Sequence, residues 1–232
     1  MRTVGLIGGM SWESSAQYYR LINQGVRDRL GPSHSARLVL FSVDFAEVER
    51  LQHAGAWDEL GDLLVDAGRR LEAAGAEAVF LCTNTMHRLA DRLEASLAVP
   101  FLHIADPIGD ALAAAGHRRV GLLGTAFTME GAFLRDRLRD RHGLDVIVPD
   151  AADRALVHDV IYRELVAGRV EPASRRAYTE VIAKLADAGA EAVILGCTEI
   201  MLLVRPEDSA LPLFDTTALH AAAAVDWALA HP

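Results

Sequence analysis

The chain has 232 residues, enough for one large domain or two small ones with a sizeable core. Its net charge of −9, with scattered basic residues and no polybasic run, argues against nucleic acid or an anionic membrane as the main partner. No stretch nears the roughly 18 consecutive apolar residues of a membrane span, and Met1-Arg2-Thr3 leads into a strand-like run without a signal-peptide pattern, so the expected compartment is the cytoplasm.

Short apolar runs alternate with amphipathic stretches along the whole length. Strands are expected over 3–8, 37–43, 76–81, 101–104, 119–124, 145–148, 190–195 and 211–214. A helix is expected to begin near Glu13. In another, Leu60, Leu63, Leu64, Ala67, Leu71 and Ala74 recur at helical spacing and stop at Gly75, a suitable C-terminal cap. Strand–helix alternation with strands rich in Val, Ile and Leu predicts an α/β fold of mainly parallel sheets covered on both faces.

The chain also repeats itself. Gly75-Ala-Glu-Ala-Val-Phe-Leu-Cys82-Thr83-Asn84-Thr85 returns 114 residues later as Gly189-Ala-Glu-Ala-Val-Ile-Leu-Gly196-Cys197-Thr198-Glu199. Val4-Gly-Leu-Ile-Gly-Gly-Met10 matches Val120-Gly-Leu-Leu-Gly-Thr-Ala126 at an offset of 116, and Pro100-Phe-Leu-His resembles Pro212-Leu-Phe-Asp at 112. Three matches in one order at nearly constant offset predict two pseudo-symmetric α/β domains, over 1–98 plus 212–232 and over 99–211. Ligands of such sheets bind beyond the carboxyl ends of the strands, so the active site is expected in a cleft between the domains.

Chemistry is therefore sought where buried strands give way to helices. Gly8-Gly9-Met10-Ser11 allows close backbone approach and offers amide donors to an anion, although it lacks both the dinucleotide fingerprint and the P-loop ending. Thr83-Asn84-Thr85 and Cys197-Thr198-Glu199 occupy the equivalent junctions and combine hydroxyl, amide and backbone donors suited to a carboxylate. The ordinary alternatives are helix capping for Ser11, Thr83 and Asn84, and a small buried hydrophobe for Cys197. The ungapped register places Thr83, not Cys82, opposite Cys197. Neighbouring side chains at a strand end point to opposite faces, so if Thr83 faces the cleft, Cys82 faces the helix layer and only packs.

Two cysteines make neither a disulfide framework nor a zinc set, and no metal is expected. Of the 23 Lys and Arg residues only Lys184 is lysine. It lies opposite the stripe of Tyr178, Val181, Ile182 and Leu185 and should be solvated, which argues against a pyridoxal phosphate Schiff base.

Val4-Gly-Leu-Ile-Gly-Gly-Met-Ser-Trp-Glu-Ser14, Cys82-Thr-Asn-Thr-Met-His87, Phe101-Leu-His-Ile-Ala-Asp106 and Leu195-Gly-Cys-Thr-Glu-Ile200 together resemble the aspartate/glutamate racemases, nearly end to end. The resemblance implies cofactor-independent racemisation of an acidic amino acid in a homodimer of two-domain chains, with α-proton removal on one face and return on the other. The usual first motif reads Cys-Asn-Thr; Thr83-Asn84-Thr85 in its place is similar to the L-aspartate/glutamate subgroup that pairs a threonine with a cysteine. The resemblance assigns Cys197 and Thr83 to catalysis, and Met10, Ser11, Gln52, Asn84, Thr85, Thr198 and Glu199 to a small-molecule amino-acid substrate. Cys197 is expected as a thiolate favoured by a helix N-terminus, and Glu199 as an orienter of the ammonium group or a first-turn helix carboxylate. Gln52 is preferred to Arg50 as the distal anchor, since a polar helix face accounts for Arg50, and His87 is open between a site role and helix packing. The competing readings are a single-cysteine isomerase or decarboxylase of the maleate or arylmalonate type and a catalytically silent amino-acid-binding homologue. A redox or metal protein using both cysteines fails because the two are out of register.

Overall fold

In a computed structural model describing residues 1–230, the eight expected strands are all present, in two separate four-stranded parallel sheets. The first unit comprises Met1–Ile104 together with the chain from His220 onward, and the second comprises Ala105–Leu219.

In the first unit the order along the chain is β1 (Val4–Gly8), α1 (Trp12–Leu30), β2 (Leu38–Ser42), α2 (Phe45–His53), α3 (Trp57–Ala73), β3 (Ala78–Leu81), α4 (Ala90–Ser96) and β4 (Phe101–Leu102). A single 3-10 turn, Thr85–Leu89, stands between β3 and α4. The sheet order is β2-β1-β3-β4. Its central strands are buried on both faces because each residue parity meets a different helical layer. Ile7, Val79 and Leu81 join Val48, Leu60, Leu64 and Leu71 of α2 and α3. Val4, Leu6, Ala78, Phe80 and Cys82 join Tyr18, Ile22 and Val26 of α1 and Ala221, Ala224 and Val225 near the chain's end.

The second unit repeats the plan: α5 (Ala105–Ala114), β5 (Arg119–Gly124), α6 (Ala126–Glu130), α7 (Ala132–His142), β6 (Asp145–Ile147), α8 (Ala151–Arg163), α9 (Pro172–Asp187), β7 (Ala192–Gly196), α10 (Ile200–Leu203) and β8 (Leu213–Asp215). The last helix, α11 (Thr216–Leu229), contains the boundary at which the chain re-enters the first unit. The sheet order β6-β5-β7-β8 matches that of the first unit term by term. Register confirms the repeat offsets. Val4 pairs with Ala78 as Val120 pairs with Ala192, and Val79 pairs with Phe101 as Val193 pairs with Leu213.

The expected boundaries at 98/99 and 211/212 fall too early. They would strip β4 from the first sheet and β8 from the second, whereas β4 hydrogen-bonds to β3 and β8 to β7. The chain completes each sheet's edge strand before it crosses over, so the divisions lie after Ile104 and after Leu219.

The turn after β1 depends on one glycine. Gly9 has φ +95°, and a Cβ there would sit 2.2 Å from the carbonyl oxygen of Val43. Gly75, also at positive φ (+89°), has open space around the same point. Gly9→Ala should cost about 3 kcal/mol, since strain and a backbone collision combine, against about 1–2 kcal/mol for Gly75→Ala, where only the dihedral penalty applies. Urea midpoints of the two variants check the order; equal losses would show that Val43 yields freely.

Candidate active site

Beyond β1, the Gly9 N–H donates to Ser15 Oγ at 2.8 Å, and that hydroxyl donates in turn to the carbonyl of Ser11 at 3.0 Å. The Gly9 amide is thus engaged inside the turn. Ser14 Oγ approaches both the Ser11 and the Cys82 carbonyls at 3.4 Å, tying the β1–α1 turn to the end of β3. Met10 is buried in the same apolar cluster as Met86, Val48 and Leu51. Gln52, buried on α2, donates its amide to the Met86 sulfur at 3.1 Å. Met10, Ser11, Gln52, Thr83, Asn84 and Thr85 are in this way gathered at one end of the first sheet, whereas Arg50 is exposed on a helix face.

The strand-end parity settles the placement of the two cysteines. Cys82 continues the row of Ala78 and Phe80, is fully buried beneath α1 and α11, and its thiol is pushed far above the usual range by burial alone. Thr83 comes next and is half-buried, with buried residues on both sides from Ala78 to His87. In the second unit Cys197 is the half-buried residue in an otherwise buried run from Ala192 to Ile200. Neither Ser11 nor Asn84 uses its side chain to cap the helix or turn that follows, so the capping explanation does not account for them.

The surroundings of Cys197 correct one expectation. The helix after it, α10, has four residues and begins only at Ile200, and the turn after Thr83 is likewise a short 3-10 segment. Neither offers the aligned dipole that would favour a thiolate. Cys197 Sγ instead donates to Glu199 Oε2 at 3.0 Å, and Thr198 Oγ1 donates to the same oxygen at 2.7 Å. Burial first, and then the negative charge of Glu199, hold the thiol well above its ordinary pKa, outweighing the backbone N–H groups of Glu199 and Thr198 that favour the thiolate. Glu199 is buried and turned towards the thiol.

Lys184 is exposed and pairs with both carboxylate oxygens of Asp153 at 2.9 and 2.8 Å. Among the described residues no group of three or more His, Cys, Asp or Glu is placed to hold a metal ion, and no helix is long and apolar enough to cross a membrane.

A family model described as Asp/Glu/hydantoin racemase matches residues 7–224. The chain belongs to that family. Among solved structures, this racemase-family chain is similar to a candidate Asp/Glu racemase from Yersinia pestis, at 51% identity and TM-score 0.93, covering 99% of this chain and 100% of that one. It also resembles an aspartate racemase homologue from Pyrococcus horikoshii OT3, at 29% identity and TM-score 0.84, covering 98% and 99%. A glutamate racemase of Roseiflexus sp. (strain RS-1) is 33% identical over 171 residues; the match covers 72% of this chain and spans only 60% of that relative's length.

A buried polar pair beneath the first sheet was not singled out in the sequence, Tyr18 and His220. The Tyr18 hydroxyl bonds to His220 Nδ1 at 2.9 Å across 202 positions. No local pattern signals such a pair.

Alkylation of Cys197 by iodoacetamide should keep rising with pH through the ordinary thiol range near about 8.5, while Cys82 stays unreactive without denaturant. Glu199→Gln removes the negative charge that opposes the thiolate, so at pH 8 it should accelerate Cys197 alkylation about tenfold. A wild-type rate that already plateaus below pH 8 would show a stabilised thiolate and overturn this electrostatic account.

Proposed function

We propose that this protein racemises an acidic amino acid, aspartate or glutamate, without a cofactor, with Cys197 and Thr83 as the two groups that exchange the α-proton. One observation carries the reading. At equivalent junctions of two repeated sheets, in register, the half-buried residue is a thiol in one unit and a hydroxyl in the other. Family membership and the similarity to aspartate and glutamate racemases support the reaction class.

An amino-acid α-proton is very weakly acidic, and the adjacent carboxylate makes the carbanion worse. Catalysis therefore requires preorganised donors on that carboxylate as charge grows on it. Asn84, Thr85 and Thr198, with the backbone N–H groups beside them and the turn at Met10–Ser11, are the assigned donors. Glu199 takes the Cys197 thiol proton across the 3.0 Å bond, producing the thiolate when substrate is bound. The thiolate removes the α-proton of the L-enantiomer, and Thr83, or a water it positions, protonates the opposite face. Glu199 returns its proton to solvent, and solvent restores the Thr83 hydroxyl. Gln52 is the assigned anchor for the distal carboxylate; a neutral amide binds it less exclusively than a cation would, so substrates beyond aspartate and glutamate fit the same reading. A homodimer located in the cytoplasm completes the proposal.

Proton NMR in D₂O with L- and D-aspartate and L- and D-glutamate tests it directly. The α-proton signal should vanish in the wild type and in Cys82→Ser, and persist in Cys197→Ser. No exchange with any amino acid would replace racemisation by the single-cysteine isomerase or decarboxylase reading.

The unequal pair makes a second prediction. Enantiomers have equal free energy, so kcat/KM must be the same in both directions. A threonine hydroxyl is a poor base, so kcat and KM should both be lower for D→L than for L→D. Progress curves with equal kcat in the two directions would refute the assignment of unlike groups.

A further inference from the structure

Thr83 lies beyond the support of its strand. The last ladder bond of β3 joins the Cys82 N–H to the Ile7 carbonyl at 2.9 Å. In the second unit the equivalent carbonyl, that of Cys197, accepts from the Ile200 N–H at 3.1 Å, a local backbone turn. In the first unit the Thr83 carbonyl is instead met by a side chain, His87 Nδ1, at 2.7 Å. The residue 114 positions after His87 is Met201, which cannot donate such a bond. Here the two halves part company.

The same imidazole accepts from the Ile104 N–H through Nε2 at 3.1 Å. Serving both partners requires the neutral tautomer with its proton on Nδ1, so the two bonds fix the ring's state. His87 is buried, with Phe101, His103 and His220 around it at ring-centre distances of 5.6, 4.5 and 6.0 Å. His220 donates from Nε2 to the Leu102 carbonyl at 2.9 Å and is joined at Nδ1 to the Tyr18 hydroxyl. His87 thus ties the chain after β3 to the segment following β4, while His220 ties α11 to β4 and α1.

We propose that His87 is a positioning residue for Thr83. By holding the Thr83 carbonyl it sets the plane of the peptide that follows, and with it the direction of the hydroxyl that delivers the proton. A role in packing alone needs only volume, and an apolar ring would supply that without the cost of burying two polar nitrogens. The His87 nitrogens are instead aimed at two backbone groups, one of them on the proton-donating residue. The inference rests on the racemase reading, in which Thr83 serves one face. Small misplacement of a reacting group is expensive in rate, and a hydroxyl beyond the end of its ladder has little else to direct it.

Three variants separate the possibilities. Asparagine places an amide about where Nδ1 lies and can donate to Thr83; glutamine reaches towards Nε2 and can accept from Ile104; phenylalanine keeps only the shape. With L-aspartate and L-glutamate in D₂O, Cys197 alone can exchange the α-proton with retention, whereas inversion also needs Thr83. His87→Phe should lower kcat for racemisation about 10- to 100-fold with little change in KM, and lower exchange with retention much less. His87→Asn should recover most of the loss and His87→Gln little of it. In a Thr83→Ala background His87→Phe should cause no further loss of racemisation. The proposal is overturned if exchange and racemisation fall together, if glutamine rescues as well as asparagine, or if the losses in the double variant multiply. Nitrogen-15 NMR of the wild type gives a reading independent of turnover: His87 should be neutral with its proton on Nδ1, and an Nε2–H or doubly protonated ring would also overturn it. A wild type that neither exchanges nor inverts any amino acid would sink the racemase reading, leaving the strap itself to be judged by that spectrum.

Discussion

Side chains on a β-strand alternate between two faces, and both faces of these central strands are covered. In β3 the alternation sends Val79 and Leu81 to the layer of α2 and α3, and Ala78, Phe80 and Cys82 to the layer of α1 and α11. The core beneath α1 therefore claims Cys82 before any chemistry is considered. Thr83 is the first residue outside that layer, and Cys197 holds the same place after β7. Shifting either strand by one residue would bury the reactive group and expose a packing residue, along with every other side chain on the strand. The candidate site inherits its residues from this constraint.

The two junctions share a scaffold and differ in what surrounds the reactive atom. Cys197 is buried beside an anionic neighbour, so burial first and Glu199 second push its thiol pKa up. Thr83 has no comparable charged partner in its bonding, and its main-chain carbonyl is held by a neutral ring.

Much of the architecture was legible because its determinants are local. Eight apolar runs became eight strands, and Gly75 does terminate its helix. The offsets of 116, 114 and 112 reappear as matching strand pairings, because a repeated sequence repeats its hydrogen-bond register. The domain limits were less legible. Pro100 and Pro212 precede short edge strands, and only pairing with β3 and β7 shows that those strands finish a sheet instead of starting the next one. The helix expected after Thr83 is preceded by a 3-10 turn, and the one after Cys197 has only four residues; capping-type residues mark where a turn begins but not how far it runs.

What the amino-acid sequence determined by itself was the doubled α/β plan and the alignment of Thr83 with Cys197, since periodicity and register are written in neighbouring residues. What only the tertiary structure decided was the state of the groups so aligned. The burial of Gln52 against Met86, the His87 ring held between Thr83 and Ile104, and the His220 ring on the Leu102 carbonyl depend on side chains meeting distant elements at bonding distance. Burial and partner geometry set protonation and orientation, and both arise only when the chain has folded.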